Sequence, residues 1–100
     1  PNFFYRALHN DAWFHGRYEE ALDYAQKAFV EQSWLDQENI AYTLSSLGRI
    51  DEAKAHIATL LKLKPGLTIR QIMAYQTMWC IEPAYREKQA NALRQAGLPE

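Results

Sequence analysis

Two copies of one short pattern, 32 residues apart, restrict this chain more than any other feature. Gly16-Arg17-Tyr18-Glu19-Glu20-Ala21 returns as Gly48-Arg49-Ile50-Asp51-Glu52-Ala53, with Gly, Arg, Glu and Ala in the same register. Each copy closes one apolar run of helical period and opens another. A glycine ends a helix in the left-handed conformation without the steric cost that a Cβ brings. The acidic pair then falls in the first turn of the next helix, opposite the positive end of its dipole. The unit is helix, Gly turn, helix, and the chain contains it twice.

Taken in order, Phe3 to His15 reads as a first helix, with Phe3, Phe4, Ala7, Leu8, Ala12 and Trp13 along one broad apolar face. A second runs from about Tyr18 to Val30 and buries Tyr18, Ala21, Leu22, Ala25, Ala28 and Phe29; its small residues suit a closely packed antiparallel neighbour. Ser33 or Asp36 is positioned to cap a third helix over about Leu35 to Leu47, with Ile40, Ala41, Leu44 and Leu47 inward. A fourth spans about Ile50 to Leu63, and Pro65-Gly66 ends it. Thr68 and Gln71 form a capping-box pattern for a fifth helix from Ile69 to about Thr77. Met78-Trp79-Cys80-Ile81 reads as a buried connection. Pro83 opens a sixth helix, apolar at Tyr85, Ala92, Leu93 and Ala96 and polar on its other side, which Gly97 stops.

The expected fold is therefore all-α, a right-handed helical solenoid of about six helices in antiparallel pairs. It forms one domain over 1–100, with repeats at 2–33 and 34–66 and divergent capping helices at 67–100. Nearly half of the residues are hydrophobic, enough for a packed core. The net charge of −1 argues against non-specific nucleic-acid binding. Cys80 is the one cysteine, so no internal disulfide is available, and a reducing, cytoplasmic compartment is the expectation. No apolar run approaches the roughly 20 residues of a membrane span. The chain opens at Pro1 within apparent structure, which reads as a piece of a longer protein.

Catalysis would have to start from His9, Asp11, His15, His56 or Cys80. His9 and Asp11 are two apart and do not share a helix face. His56 follows Glu52 by four residues, the spacing of a surface pair. The sequence has no His-Glu-x-x-His, no paired Cys-x-x-Cys and no Gly-rich phosphate loop. The expectation is no catalytic residue, no metal and no cofactor.

Gly16, Tyr18, Glu20, Ala21 and Ala28, with Ile40, Ala41, Leu44, Gly48, Glu52, Ala53 and Pro65, form a pattern that resembles the tetratricopeptide (TPR) repeat, a helix-turn-helix unit of about 34 residues. The first unit departs from it at His9, where the family has a small residue, at Ala12, where it has an aromatic, and in lacking a closing proline. The ending Leu93-Arg94-Gln95-Ala96-Gly97-Leu98-Pro99-Glu100 is similar to the C-terminus of bacterial TPR regions. Those regions follow a class III adenylate/guanylate cyclase domain or a winged-helix domain in multidomain regulators. The resemblance implies a protein–protein interaction or regulatory scaffold module within a larger bacterial signalling protein.

The family's peptide groove, carried over position by position, falls on Phe3, Arg6, Asn10, Trp13 and Phe14 in the first unit and on Glu38, Tyr42 and Ser45 in the second. Arg6 and Asn10 faintly match a carboxylate clamp, which Glu38 would oppose. A mixed aromatic and polar groove fits better, with Trp13 and Tyr42 either interface anchors or packing residues. The alternative is a homodimerisation module without a separate ligand, formed through the aromatic first helix, with Phe3, Phe4, Tyr5, Leu8, Trp13 and Phe14 at hand.

Overall fold

Glycine at positive φ sets the layout. Gly16 and Gly48 both lie at φ +79°, and each sits in the same pair of closing hydrogen bonds. Gly16 N–H donates to the Trp13 carbonyl and Arg17 N–H to that of Ala12; 32 residues on, Gly48 N–H donates to Ser45 and Arg49 N–H to Leu44. These bonds satisfy carbonyls that a helix end leaves open. The echo extends to the side chains: Arg17 Nε donates to Glu20 at 2.7 Å, and Arg49 pairs with Glu52 in the same way. Gly97 repeats the backbone motif at the last helix.

The computed structural model describes residues 2–78 and 82–100, and among these the chain is all-helical, with no strand. Six helices follow in order: α1 (Asn2–Phe14), α2 (Tyr18–Ala28), α3 (Trp34–Ser46), α4 (Ile50–Leu63), α5 (Ile69–Met78) and α6 (Pro83–Gln95). The expected buried connection begins at Met78, which ends α5; Trp79, Cys80 and Ile81 lie outside the described residues. Helix α2 stops at Ala28, two residues before the expected end. Val30 N–H is taken by the Asp36 carboxylate at 2.9 Å, which draws the chain out of the helix. Ser33 is the residue that caps α3, its hydroxyl accepting from Asp36 N–H. The Thr68–Gln71 capping box is reciprocal, at 3.0 and 3.2 Å.

The closest helix pairings are α1 with α2 and α3 with α4, while α2 and α6 also pack on α3. Helix α3 is thus covered on three sides. Besides Ile40, Ala41 and Leu44 it buries Asp36, Gln37, Glu38, Tyr42, Thr43 and Ser45. Helix α6 turns back onto α3 instead of extending the row of helices, and the molecule measures 29 × 26 × 26 Å, with no long axis. The tail finishes the arrangement. Leu98 is buried, and the carbonyls of Pro99 and Glu100 accept from the N–H groups of Ile69 and Arg70 at the start of α5.

The first helix is less buried than its apolar pattern predicts. Phe3 is 77 % exposed and Phe4 52 %, and Ala7 is exposed too; the residues inside are His9, Ala12 and Trp13. Its neighbours α2 and α3 cover one side only.

A substitution at Gly48 tests the turn. A Cβ there would meet no atom within 4 Å, so the cost is conformational and not steric. Gly48→Val is expected to lose about 1–2 kcal/mol, a drop in melting temperature of roughly 5–10 °C for a chain of this size. An unchanged melting temperature would refute the assigned role of the turn.

Candidate functional site

Where α6 folds back, it leaves a cavity of about 530 Å³ against α1, α3 and α5. Helix α1 contributes Arg6, Asn10 and Phe14, on a stripe at four-residue spacing; α3 contributes Leu35, Asn39 and Tyr42, at spacings of four and three. Tyr75 and Gln76 come from α5, Tyr85 and Gln89 from α6, and Glu82 from the residue before α6. The lining is aromatic and carboxamide in character, within the size range of small-ligand pockets.

Behind the wall stands an aromatic cluster. Trp13 is fully buried, edge-on to Tyr42 at 4.8 Å and to Tyr85 at 5.1 Å between ring centroids. Its indole N–H donates to Ser46 Oγ at 3.1 Å, and the Lys88 ammonium lies 5.2 Å from its ring centre. Tyr85 also stacks on Phe14, at 5.2 Å and an interplanar angle of 15°. A helix with only its own amphipathic face to place is held across the groove by these contacts.

Of the residues carried over from the repeat pattern, Arg6, Asn10, Phe14 and Tyr42 line the cavity; Trp13, Glu38 and Ser45 do not. Trp13 is a packing residue. Ser45 is buried under α6, its hydroxyl 3.5 Å from Gln95 Oε1. Phe3 is exposed away from the cavity lining. Arg6 is committed as well: its guanidinium makes two bonds of 2.8 Å to the Asp36 carboxylate, which burial leaves 3 % exposed. The basic half of a carboxylate clamp is therefore neutralised from within the chain. The expected surface pair of His56 with Glu52 is replaced by others, Glu52 with Arg49 and His56 Nδ1 with Gln37 Oε1 at 2.8 Å.

His9 sits inside rather than at a site. Its Nε2 lies 2.8 Å from Thr43 Oγ1, which itself donates to the Asn39 carbonyl, and its Nδ1 lies 3.1 Å from Asn10 Oδ1. Burial pushes its pKa down to about 4, and the ring is neutral at pH 7. Glu38 shows the opposite shift. Burial alone, with no hydrogen bond to Oε2, raises its pKa to about 8, so the carboxyl is protonated at pH 7. Burial also raises the phenols, Tyr85 to about 12 and Tyr42 well above its usual value. The Tyr42 hydroxyl approaches Tyr85 and Gln89, but it forms no hydrogen bond of good geometry with either.

These two shifts make stability depend on pH with opposite signs. His9 binds fewer protons folded than unfolded between about 4 and 6.5, so its contribution is lost as pH falls through that window. Glu38 binds more protons folded between 4.5 and about 8, so its contribution is lost as pH rises. The two oppose each other below pH 6.5, where burial of His56 acts in the same direction as that of His9; above it Glu38 dominates. Unfolding by urea is expected to give a stability lower by about 1 kcal/mol at pH 8 than at pH 6.5. Glu38→Gln is expected to flatten that slope, and a slope retained in the variant would contradict the assignment.

Compared with protein families, curated proteins and solved structures, the chain matches none. Among the described residues no group of three or more His, Cys, Asp or Glu side chains is placed to hold a metal ion, and no helix is long and apolar enough to cross a membrane.

The sequence did not signal the α5 and α6 part of the lining. Gln76 and Gln89 look like solvated polar residues, and only the return of α6 onto α3 brings them together. Gln76 Nε2 donates to Gln89 Oε1, and both side chains are buried.

Proposed function

We propose that the chain is a right-handed TPR-like solenoid of two helix pairs, closed by a divergent C-terminal pair, and that it acts as a protein–protein interaction or regulatory scaffold module. The observation that carries this reading is the cavity between α1, α3, α5 and α6, with its aromatic and carboxamide lining. The twofold Gly-Arg-x-x-Glu-Ala turn, with the same closing backbone bonds and the same Arg Nε–Glu bond in both copies, supports the solenoid. A groove of this kind takes an extended peptide or one anchor side chain from a partner, or from another domain of the same chain. The resemblance of the tail to those of bacterial regulators supports a place in a larger cytoplasmic signalling protein. Binding and not catalysis is the proposed activity, with no metal or cofactor.

A peptide array probed with the purified chain tests the reading. Phe14→Ala and Asn39→Ala alter the lining, at one exposed and one half-buried position. Loss of captured peptides in both variants, with melting temperatures within a few degrees of the parent, is the expected result. Capture that is indifferent to both substitutions would overturn the groove.

A second reading rests on Phe3 and Phe4, exposed side by side at the start of α1. An apolar patch left open in this way favours pairing with another copy. Sedimentation would then show a dimer at high micromolar concentration that Phe3→Ser with Phe4→Ser dissolves; a monomer throughout would end this reading.

A further inference from the structure

Among the described residues, the cavity holds unmet hydrogen-bonding capacity and no free interior charge. The one lining cation among them, Arg6, spends two donors on the buried Asp36 carboxylate. The one lining carboxylate among them, Glu82, is exposed. Two lining atoms lack a hydrogen-bond partner among the described residues, the Tyr42 hydroxyl and Gln76 Oε1, on side chains only 0 % and 8 % exposed. Leaving such groups dry is unfavourable. Their chemistry is complementary. The Tyr42 hydroxyl has a proton to give. Gln76 already donates through Nε2 to Gln89, so its Oε1 is an acceptor awaiting a donor.

We propose that this cavity binds an uncharged carboxamide, presented as a Gln or Asn side chain of a peptide, whose carbonyl accepts from Tyr42 and whose NH₂ donates to Gln76 Oε1. The inference rests on the peptide-groove reading and names what that groove selects. A carboxamide offers an acceptor and a donor at adjacent positions of one planar unit without bringing a charge. The stacked rings of Phe14 and Tyr85 give its aliphatic stem an apolar wall. Among the described residues, an aspartate or glutamate would be desolvated with no uncommitted lining cation to meet it, and a lysine with no uncommitted interior carboxylate, since Asp36 is held by Arg6 and the neighbouring Glu38 carboxyl is protonated at neutral pH.

The test uses three probes of matched size, the N-acetyl methylamides of glutamine, glutamate and lysine, titrated at pH 7 into the ¹⁵N-labelled chain. The glutamine compound is expected to bind at least about tenfold more tightly than either charged one, a margin typical of sites built to hydrogen-bond their ligand. It should move the side-chain amide resonances of Gln76 and Gln89. Tyr42→Phe removes only the hydroxyl, so it should abolish the preference without lowering the melting temperature. Gln76→Leu should abolish the preference too. Equal or tighter binding of the glutamate or lysine compound would overturn the carboxamide inference and leave the groove standing. Absence of any shift at cavity residues up to high millimolar concentration would also overturn it. The groove reading itself falls only if array-selected peptides bind without disturbing the cavity.

Discussion

Trp13→Ala is expected to be the most damaging single substitution in the described core. The side chain is fully buried and touches the rings of Tyr18, Tyr42 and Tyr85 while its indole N–H holds Ser46. It therefore joins α1 to α2, α3 and α6 at one point. Truncating a buried Trp to Ala costs about 3–5 kcal/mol, and for a domain of this size each kcal/mol lowers the melting temperature by roughly 4–8 °C. A fall of roughly 15 °C or more follows, measurable by thermal circular dichroism. Trp13→Phe keeps the ring and should lose less than half as much. A melting temperature within a few degrees of the parent for Trp13→Ala would mean that α6 is not fastened through this cluster. The expected size of the effect also disqualifies Trp13→Ala as a probe of ligand binding, because lost capture would report lost structure.

Asp36→Ala comes second. One carboxylate accepts two bonds from Arg6 and the N–H of Val30, and its helix position, three residues after the Ser33 cap, faces the positive end of the α3 dipole. Removing it strands the part-buried Val30 N–H and a guanidinium. Because Arg6 is 36 % exposed and water can replace part of its loss, the full cost of breaking a buried pair is reduced. About 2–3 kcal/mol is expected, read as a shift in the urea midpoint at constant slope. Arg6→Ala should cost less, since the carboxylate keeps Val30. The reverse order, with Arg6→Ala the worse of the two, would place the energy of this contact in the ion pair and not in the loop between α2 and α3.

Legibility in the sequence followed the range of the interaction. Gly16, Gly48 and Gly97, Pro83, and the Thr68–Gln71 pair act within one turn of chain, and their geometry could be read from spacing alone. The inward positions of α2 and α4 were readable too, because each helix hides a single face. Helix α3 was readable only in part: Ile40, Ala41 and Leu44 are buried as expected. Its polar residues Asp36, Gln37, Thr43 and Ser45 are buried too, through partners elsewhere in the chain that periodicity does not show, namely Arg6, Glu31 and His56, His9, and Gln95, and Glu38 is buried among them. Amphipathic pattern reveals that a helix has an inside, and it does not reveal how many neighbours press on it. For the same reason the stripe Arg6, Asn10, Phe14 and Tyr42 could be named from repeat positions, while the wall supplied by Tyr75, Gln76, Tyr85 and Gln89 could not. That half of the cavity depends on where α6 comes to rest, which the buried Trp13 decides through Tyr85.

The bonds from Ile69 and Arg70 to the carbonyls of Pro99 and Glu100 make the last third of the molecule a ring. The two preceding helix pairs close through contacts between neighbours in sequence, so each can begin to form as soon as its own residues are in place. Helix α5 has no such independence. Part of what satisfies its first turn arrives from thirty residues later, and the return path runs through α6, which in turn covers the cavity. Helix start, cavity roof and tail are therefore linked through the two tail carbonyls. Loosening the final two residues would be felt first at the mouth of the cavity, far along the chain from where the change was made.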